Sequence, residues 1–202
     1  MNRSRPKIRT SRALGIVLTP KAQPYVEKRP YPPGQHGHRR RNLSDYALRL
    51  REKQRLRHQY NVSEAQLRRL FEEALRKPGK TGANLVAALE LRLDAVVLRA
   101  GFARTIYQAR QMVVHRHITV NGARVDRPSY RTAVGDVISV VPRSRTMLPF
   151  ATAAAGGYAP ERIPPHLQVA RPELQATVVS EPIRDTVPII CDDQLVVEHY
   201  SR

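Results

Sequence analysis

Seven histidines, a few adjacent carboxylates and one cysteine are the residues of this 202-residue chain whose types could do chemistry. His36 and His38 form an H-x-H pair, but no cysteine or carboxylate stands at metal-ligand spacing beside it, and three arginines follow. A structural zinc site needs four N, S or O donors, so the pair reads as solvated or RNA-facing, and no metal or other cofactor is expected. Asp192 and Asp193 could act as an acid/base pair, yet their place just before "QLVVEHY" is that of a helix cap. Arg92 and Asp94 flank Leu93, which continues the apolar stripe of Leu85 and Leu89 towards Val97 and so makes this trio part of a core-facing helix. Phosphate-cradling glycine loops, dinucleotide motifs and a nucleophile context are all missing from the sequence. The expectation is a binding protein, not an enzyme.

Charge says what is bound. The 35 Lys and Arg stand against 17 Asp and Glu, a formal charge of +18 that calls for a polyanionic partner. It is uneven: residues 1–60 carry 16 basic against 3 acidic residues and residues 91–145 carry 10 against 3, whereas residues 146–202 are net acidic. Arginine far outnumbers lysine, which suits phosphate forks and base stacking on folded RNA. No run approaches the roughly 20 apolar residues of a membrane span, the basic N-terminus lacks the apolar segment of a secretory signal, and lone Cys191 fits a reducing cytoplasm. A cytoplasmic protein with no membrane partner and no obligate homo-oligomer is expected.

The elements that must position these charges follow from periodicity and punctuation. Residues 1–43 hold six prolines and no sustained period, and read as a basic extended arm. Ser44 caps a helix, "SDYALRLREKQRLRHQY", whose Arg49, Arg51, Lys53, Arg55 and Arg57 predict an almost continuous positive surface. Ser63 and Gln66 form a capping box for a second helix, and a third is predicted from Thr81 to a stop at Gly101. Thr105 caps a short helix that turns Ile106, Ala109 and Val113 one way and Arg104, Gln108, Gln111 and His115 the other. Next, "HITVNGARV" predicts a hairpin about Asn121-Gly122, so helix and hairpin together offer a polar, positive surface with His117, Asn121 and Arg124. Gly135-Asp136 leads into the strand "VISVV". Residues 147–156 read as helical, "HLQV" and "LQATVV" as strands, and Asp192 as the cap of a last helix.

In this order, "RPYPPGQHG", "LELRLDAVVLRAGF", "ARQMVVHRHITVNGARVDRPSY", "GDVISV" and "DDQLVVEHYSR" resemble the bacterial family of small-subunit ribosomal protein four, over nearly the whole chain. Residues 91–145 resemble the RNA-binding module named after it. Some pseudouridine synthases share that module, and Arg92-Leu93-Asp94 resembles the core of their signature, but Leu91 stands where its glycine belongs. An RNA-modifying enzyme would also need a catalytic domain for which the length leaves no room. A free translational regulator is the other alternative.

The resemblance implies an α+β fold: a helical domain (44–90, completed by a C-terminal helix within 177–202) bearing the arm of 1–43, with a small α/β RNA-binding module (91–176) inserted, a helix pair followed by an antiparallel hairpin sheet. It implies a structural constituent of the small ribosomal subunit that binds 16S rRNA early and nucleates assembly of the body. It further implies a place near the channel through which mRNA enters, with influence on translational accuracy, beside ribosomal proteins three, five and twelve, and possible autoregulation of translation in some members. Arg39, Arg40 and Arg41 are thereby expected to face mRNA. The residues expected to bind rRNA are Arg3, Arg5, Lys7, Arg9, Arg12, Arg29, Gln35, His36, Gly37, Tyr46, Arg49, Arg51, Lys53, Arg55 and Arg57, and in the module Arg104, Thr105, Gln108, Arg110, Gln111, His115, His117, Asn121 and Gly122. Some members bind zinc through four cysteines in the arm. Residues 1–43 have none, Ile8 and Ser11 fall where the first pair would be, and this arm must be fixed by RNA contacts and local packing.

Overall fold

The computed structural model describes residues 6–39, 42–160 and 162–201, so Arg3, Arg5, Arg40 and Arg41 lie outside the described residues. The chain divides into two compact units, Met1–Arg76 with Ile189–Arg202, and Lys77–Pro188.

In the first unit, α1 (Lys7–Leu14) and α2 (Gln23–Lys28) interrupt what the prolines led one to expect as an extended arm. The prolines do not break these helices because they sit at the starts: Pro6 is the N-cap of α1 and Pro24 lies in the first turn of α2, where a missing N–H costs nothing. Gly15, at φ 65°, ends α1 in the left-handed conformation. Ser11 is fully buried, and its Oγ accepts from the Leu18 amide at 3.3 Å.

Helix α3 (Asp45–Gln59) starts as its sequence predicts, with Ser44 Oγ accepting from the Ala47 amide. Helix α4 (Glu64–Arg76) opens on a reciprocal capping box, the Ser63 amide donating to Gln66 Oε1 and the Gln66 amide to Ser63 Oγ. The chain later returns as α9 (Asp193–Tyr200), capped by Asp192, and buries Val196 against α3 and α4, while Tyr200 stacks on Phe71 at 4.8 Å.

In the second unit the helix predicted from Thr81 to Gly101 is two helices, α5 (Thr81–Glu90) and α6 (Leu93–Arg99). The apolar stripe runs through both, but the backbone between them bonds elsewhere. Leu91 O accepts from the amide and hydroxyl of Thr132, the Leu93 amide donates to Tyr130 O, and Arg92 turns extended to bridge Arg131. The expected stop holds: the Phe102 amide reaches back to Val97 O across Gly101, at φ 76°. Helix α7 (Ile106–Val114) follows, then β1 (Ile118–Val120), β2 (Ala123–Arg124) and β3 (Val137–Val140), α8 (Leu148–Ala154), and the hairpin β4 (Leu167–Ala170) and β5 (Gln175–Val178). Among the described residues these strands make one antiparallel sheet, ordered β2-β1-β3-β5-β4. Ile138 and Val140 of β3 and Ala176 and Val178 of β5 alternate inward, as period-2 patterning requires, onto a core shared with Val96, Val97, Ala109, Val113 and Phe150.

Candidate RNA interface

In the second unit, α7 leads directly into the β1–β2 hairpin, and its inward side chains share a core with Ile118 and Val120 of β1. Ile106, Ala109 and Val113 are buried, while Arg104, Gln111 and His115 are exposed. Thr105 Oγ1 accepts from the Gln108 amide at 3.2 Å, and Gln108 Oε1 accepts in turn from the Arg104 amide at 2.9 Å. Thr105 and Gln108 therefore cap the helix, leaving Arg104 and Gln111 as its outward-facing polar side chains. Arg110 is tethered from below: its Nη1 lies 3.7 Å from Asp94, a buried carboxylate already gripped by both Nε and Nη2 of Arg92. Burial outweighs the neighbouring Arg92 and Arg110 and leaves the Asp94 carboxyl above the usual carboxylate range, within an ion pair inside the core.

The turn is as predicted. Val120 pairs with Ala123, and Asn121 and Gly122 both have positive φ, 50° and 82°. Asn121 is structural: its Nδ2 donates to Asp136 Oδ1 at 2.8 Å and its Oδ1 accepts from the Val137 amide at 2.9 Å. His117 is likewise occupied, with Nδ1 2.9 Å from Ser144 Oγ and its ring edge-on to Phe150. Partial burial and then neighbouring His115 hold it below the usual imidazole range. Arg116 is a residue the sequence reading did not single out. It takes a left-handed φ of 62° at the end of α7, with its exposed guanidinium on Asp126 at 2.9 Å. Only the flanking "HRH", with no glycine after the helix, hinted at it.

The first unit corrects the expectation of a continuous positive surface on α3. Arg49 donates to Glu198 at 2.8 Å, buried Lys53 to Glu64 at 2.9 Å, Arg55 to Leu14 O and Glu52, and Arg57 to Val62 O and Gln54. Charges spaced i, i+2 turn about 200° per step around a helix and cannot share one face; those carried inward recruit carboxylates and carbonyls. Arg51 is the exception, with its Nε shielded yet making no hydrogen bond and Glu52 no nearer than 3.7 Å.

The arm is held largely by itself. Arg12 donates to Arg29 O and Tyr31 O and lies over the Tyr31 ring, which packs against His38 at 3.7 Å. A glycine is required at Gly37 because a Cβ there would collide with the Pro32 carbonyl, so its close approach is to the chain's own backbone. Arg9, Arg29, Gln35, His36 and Arg39 are exposed, Lys7 is half-buried, and exposed Tyr46 neighbours His199. Together α1, the loop of 32–39 and α3 enclose a groove of about 840 Å³.

The family model described as "Ribosomal protein S4/S9 N-terminal domain" matches residues 2–90, and the "S4 domain" model matches residues 91–138. The chain is 60% identical over 201 residues to the small ribosomal subunit protein uS4 of Paenarthrobacter aurescens, covering 99% of this chain and 98% of that one. The chain belongs to the uS4 family. Further uS4 relatives are 60% identical in Micrococcus luteus, over 99% of this chain and 98% of theirs, and 56% in Streptomyces griseus, over 100% and 99%. The two uS4 regions meet at residues 90 and 91, in the break between α5 and α6. The α7–hairpin surface falls inside the S4 domain, while α1, α3 and the groove fall inside the N-terminal one.

Proposed function

We propose that the chain binds 16S rRNA through two surfaces, the α7–hairpin face of the S4 domain and the basic face formed by α1, the loop of 32–39 and Arg51. As a member of the uS4 family it is a structural constituent of the small ribosomal subunit, not an enzyme, and a cytoplasmic, ribosome-bound protein that binds rRNA. The observation that carries the first surface is the partition of α7: Ile106, Ala109 and Val113 are buried while Arg104 and Gln111 are exposed, as are Arg116 and Arg124 further along the chain. Phosphate neutralisation supplies affinity, and the shape of helix and hairpin supplies register.

The finer reading is that binding is early and nucleates the body of the subunit. It further places the chain beside ribosomal proteins three, five and twelve, with Arg39, Arg40 and Arg41 toward incoming mRNA and an influence on accuracy and on the translation of its own message. Exposed Arg39 at the end of the loop supports a basic strip there.

The test measures affinity of the full chain for 16S rRNA against salt. The logarithm of affinity should fall linearly with that of salt, and a flat plot would remove phosphate binding as the mechanism. Arg104→Ala with Gln111→Ala should weaken binding roughly tenfold, the scale of one or two charge-assisted contacts, with an unchanged melting curve. Neutralising Arg39, Arg40 and Arg41 should slow translation through structured mRNA more than it weakens rRNA binding, and the reverse result would sink the mRNA role.

A further inference from the structure

The groove of about 840 Å³ between α1, the loop of 32–39 and α3 is larger than phosphate contact requires. Its lining is apolar at Ala13, Leu14 and Pro33 and cationic at Arg9 and Arg51. Of the described residues that line it, none is acidic. The walls are set before any partner arrives, since Arg12 ties the loop to α1 through Tyr31 O, and the Gly37 and Arg39 amides bond within the loop.

We infer that this groove receives one unstacked nucleotide of the bound rRNA, its base on the apolar lining and its flanking phosphates on the arginines. The inference rests on the rRNA-binding reading above and adds to it the kind of RNA element recognised. A duplex presents phosphates on a convex surface and would leave the apolar lining unused, whereas a splayed-out nucleotide offers both an apolar face and charge. The volume lies in the range of about 300–1,000 Å³ typical of small-molecule sites. The Arg51 side chain is 37% exposed, and its ion-pair partner Glu52 stands 3.7 Å from it. Charge complementarity selects nucleic acid over a peptide of a neighbouring protein, which would also suit the prolines.

The experiment fills the groove without touching its arginines. Ala13 is exposed on α1, so Ala13→Phe keeps every charge. The full-length variant should bind 16S rRNA about 10-fold or more weakly, the scale of losing one stacked base, with the salt slope and melting curve of the wild type. In parallel, wild-type complex made with 4-thiouridine-substituted rRNA and irradiated should yield a nucleotide adduct on a peptide containing Ala13, Leu14 or Leu43, a readout that does not depend on the variant folding. Undiminished affinity of a folded Ala13→Phe chain overturns the inference, as does a complex that gives adducts only outside the groove. If Ala13→Phe keeps its rRNA affinity but loses a neighbouring protein from reconstituted particles, the groove holds a peptide and the inference is wrong. A wild-type chain whose rRNA binding ignores salt would instead defeat the underlying reading.

Discussion

Arg116 concentrates the tension between stability and binding in one residue. A non-glycine side chain in the left-handed region costs roughly 1–2 kcal/mol, and here it closes α7, with the His117 amide reaching back to Met112 O. Its exposed pair with Asp126 returns little. Arg116→Gly should therefore raise the unfolding free energy by up to about 1 kcal/mol in a denaturant titration, less the entropy glycine adds to the unfolded chain. It should also lower the magnitude of the salt slope for rRNA by about 1. A stability gain with an unchanged slope would make Arg116 a bystander of the RNA surface. The contrast with Asn121 is instructive: its sequence context flagged it for the turn, and the structure shows that its amide is consumed in holding that turn to Asp136 and Val137.

Among elements, the joint of α3, α4 and α9 is set by a small polar cluster. Glu64 Oε1 accepts from Lys53 Nζ at 2.9 Å and from the Tyr200 hydroxyl at 2.7 Å. Burial raises the Glu64 carboxyl, but the hydrogen bonds from Lys53 and Tyr200 and the charges of Lys53 and Arg57 outweigh it and hold the group below the usual carboxylate range. With the folded value depressed, the contribution is complete above the unfolded carboxylate value of about 4.3 and is lost as pH falls through the lower folded value. Unfolding followed by circular dichroism should thus show an acid-side loss of stability that Glu64→Gln flattens. An identical acid profile in the variant would mean that other carboxylates govern it. The same cluster holds the Tyr200 hydroxyl far above the ordinary tyrosine range, chiefly through burial and then through Glu64, so Tyr200 keeps the proton it donates to Glu64.

For the whole molecule the dominant quantity is the charge of +18. It destabilises the isolated chain through self-repulsion and draws it to a polyanion. Raising ionic strength from low to moderate salt should therefore raise the melting temperature of the isolated protein while weakening its hold on rRNA, because screening acts on both interactions with opposite consequences. A melting temperature that falls with salt would show that the internal ion pairs outweigh the repulsion. The sequence by itself determined the class of partner, the family, and several locally punctuated features: the Ser44, Thr105 and Asp192 caps, the Ser63–Gln66 box, the Asn121-Gly122 turn and the Gly101 stop. These are local, fixed by residues three or four apart. What only tertiary structure decided was long-range. It set the break at Leu91–Arg92, made by hydrogen bonds from residues 130–132, and the self-bonding of the arm through Arg12. It also set the fate of the α3 cations, which depends on carboxylates and carbonyls brought in by α1, α4 and α9 and is invisible to any window of sequence around them.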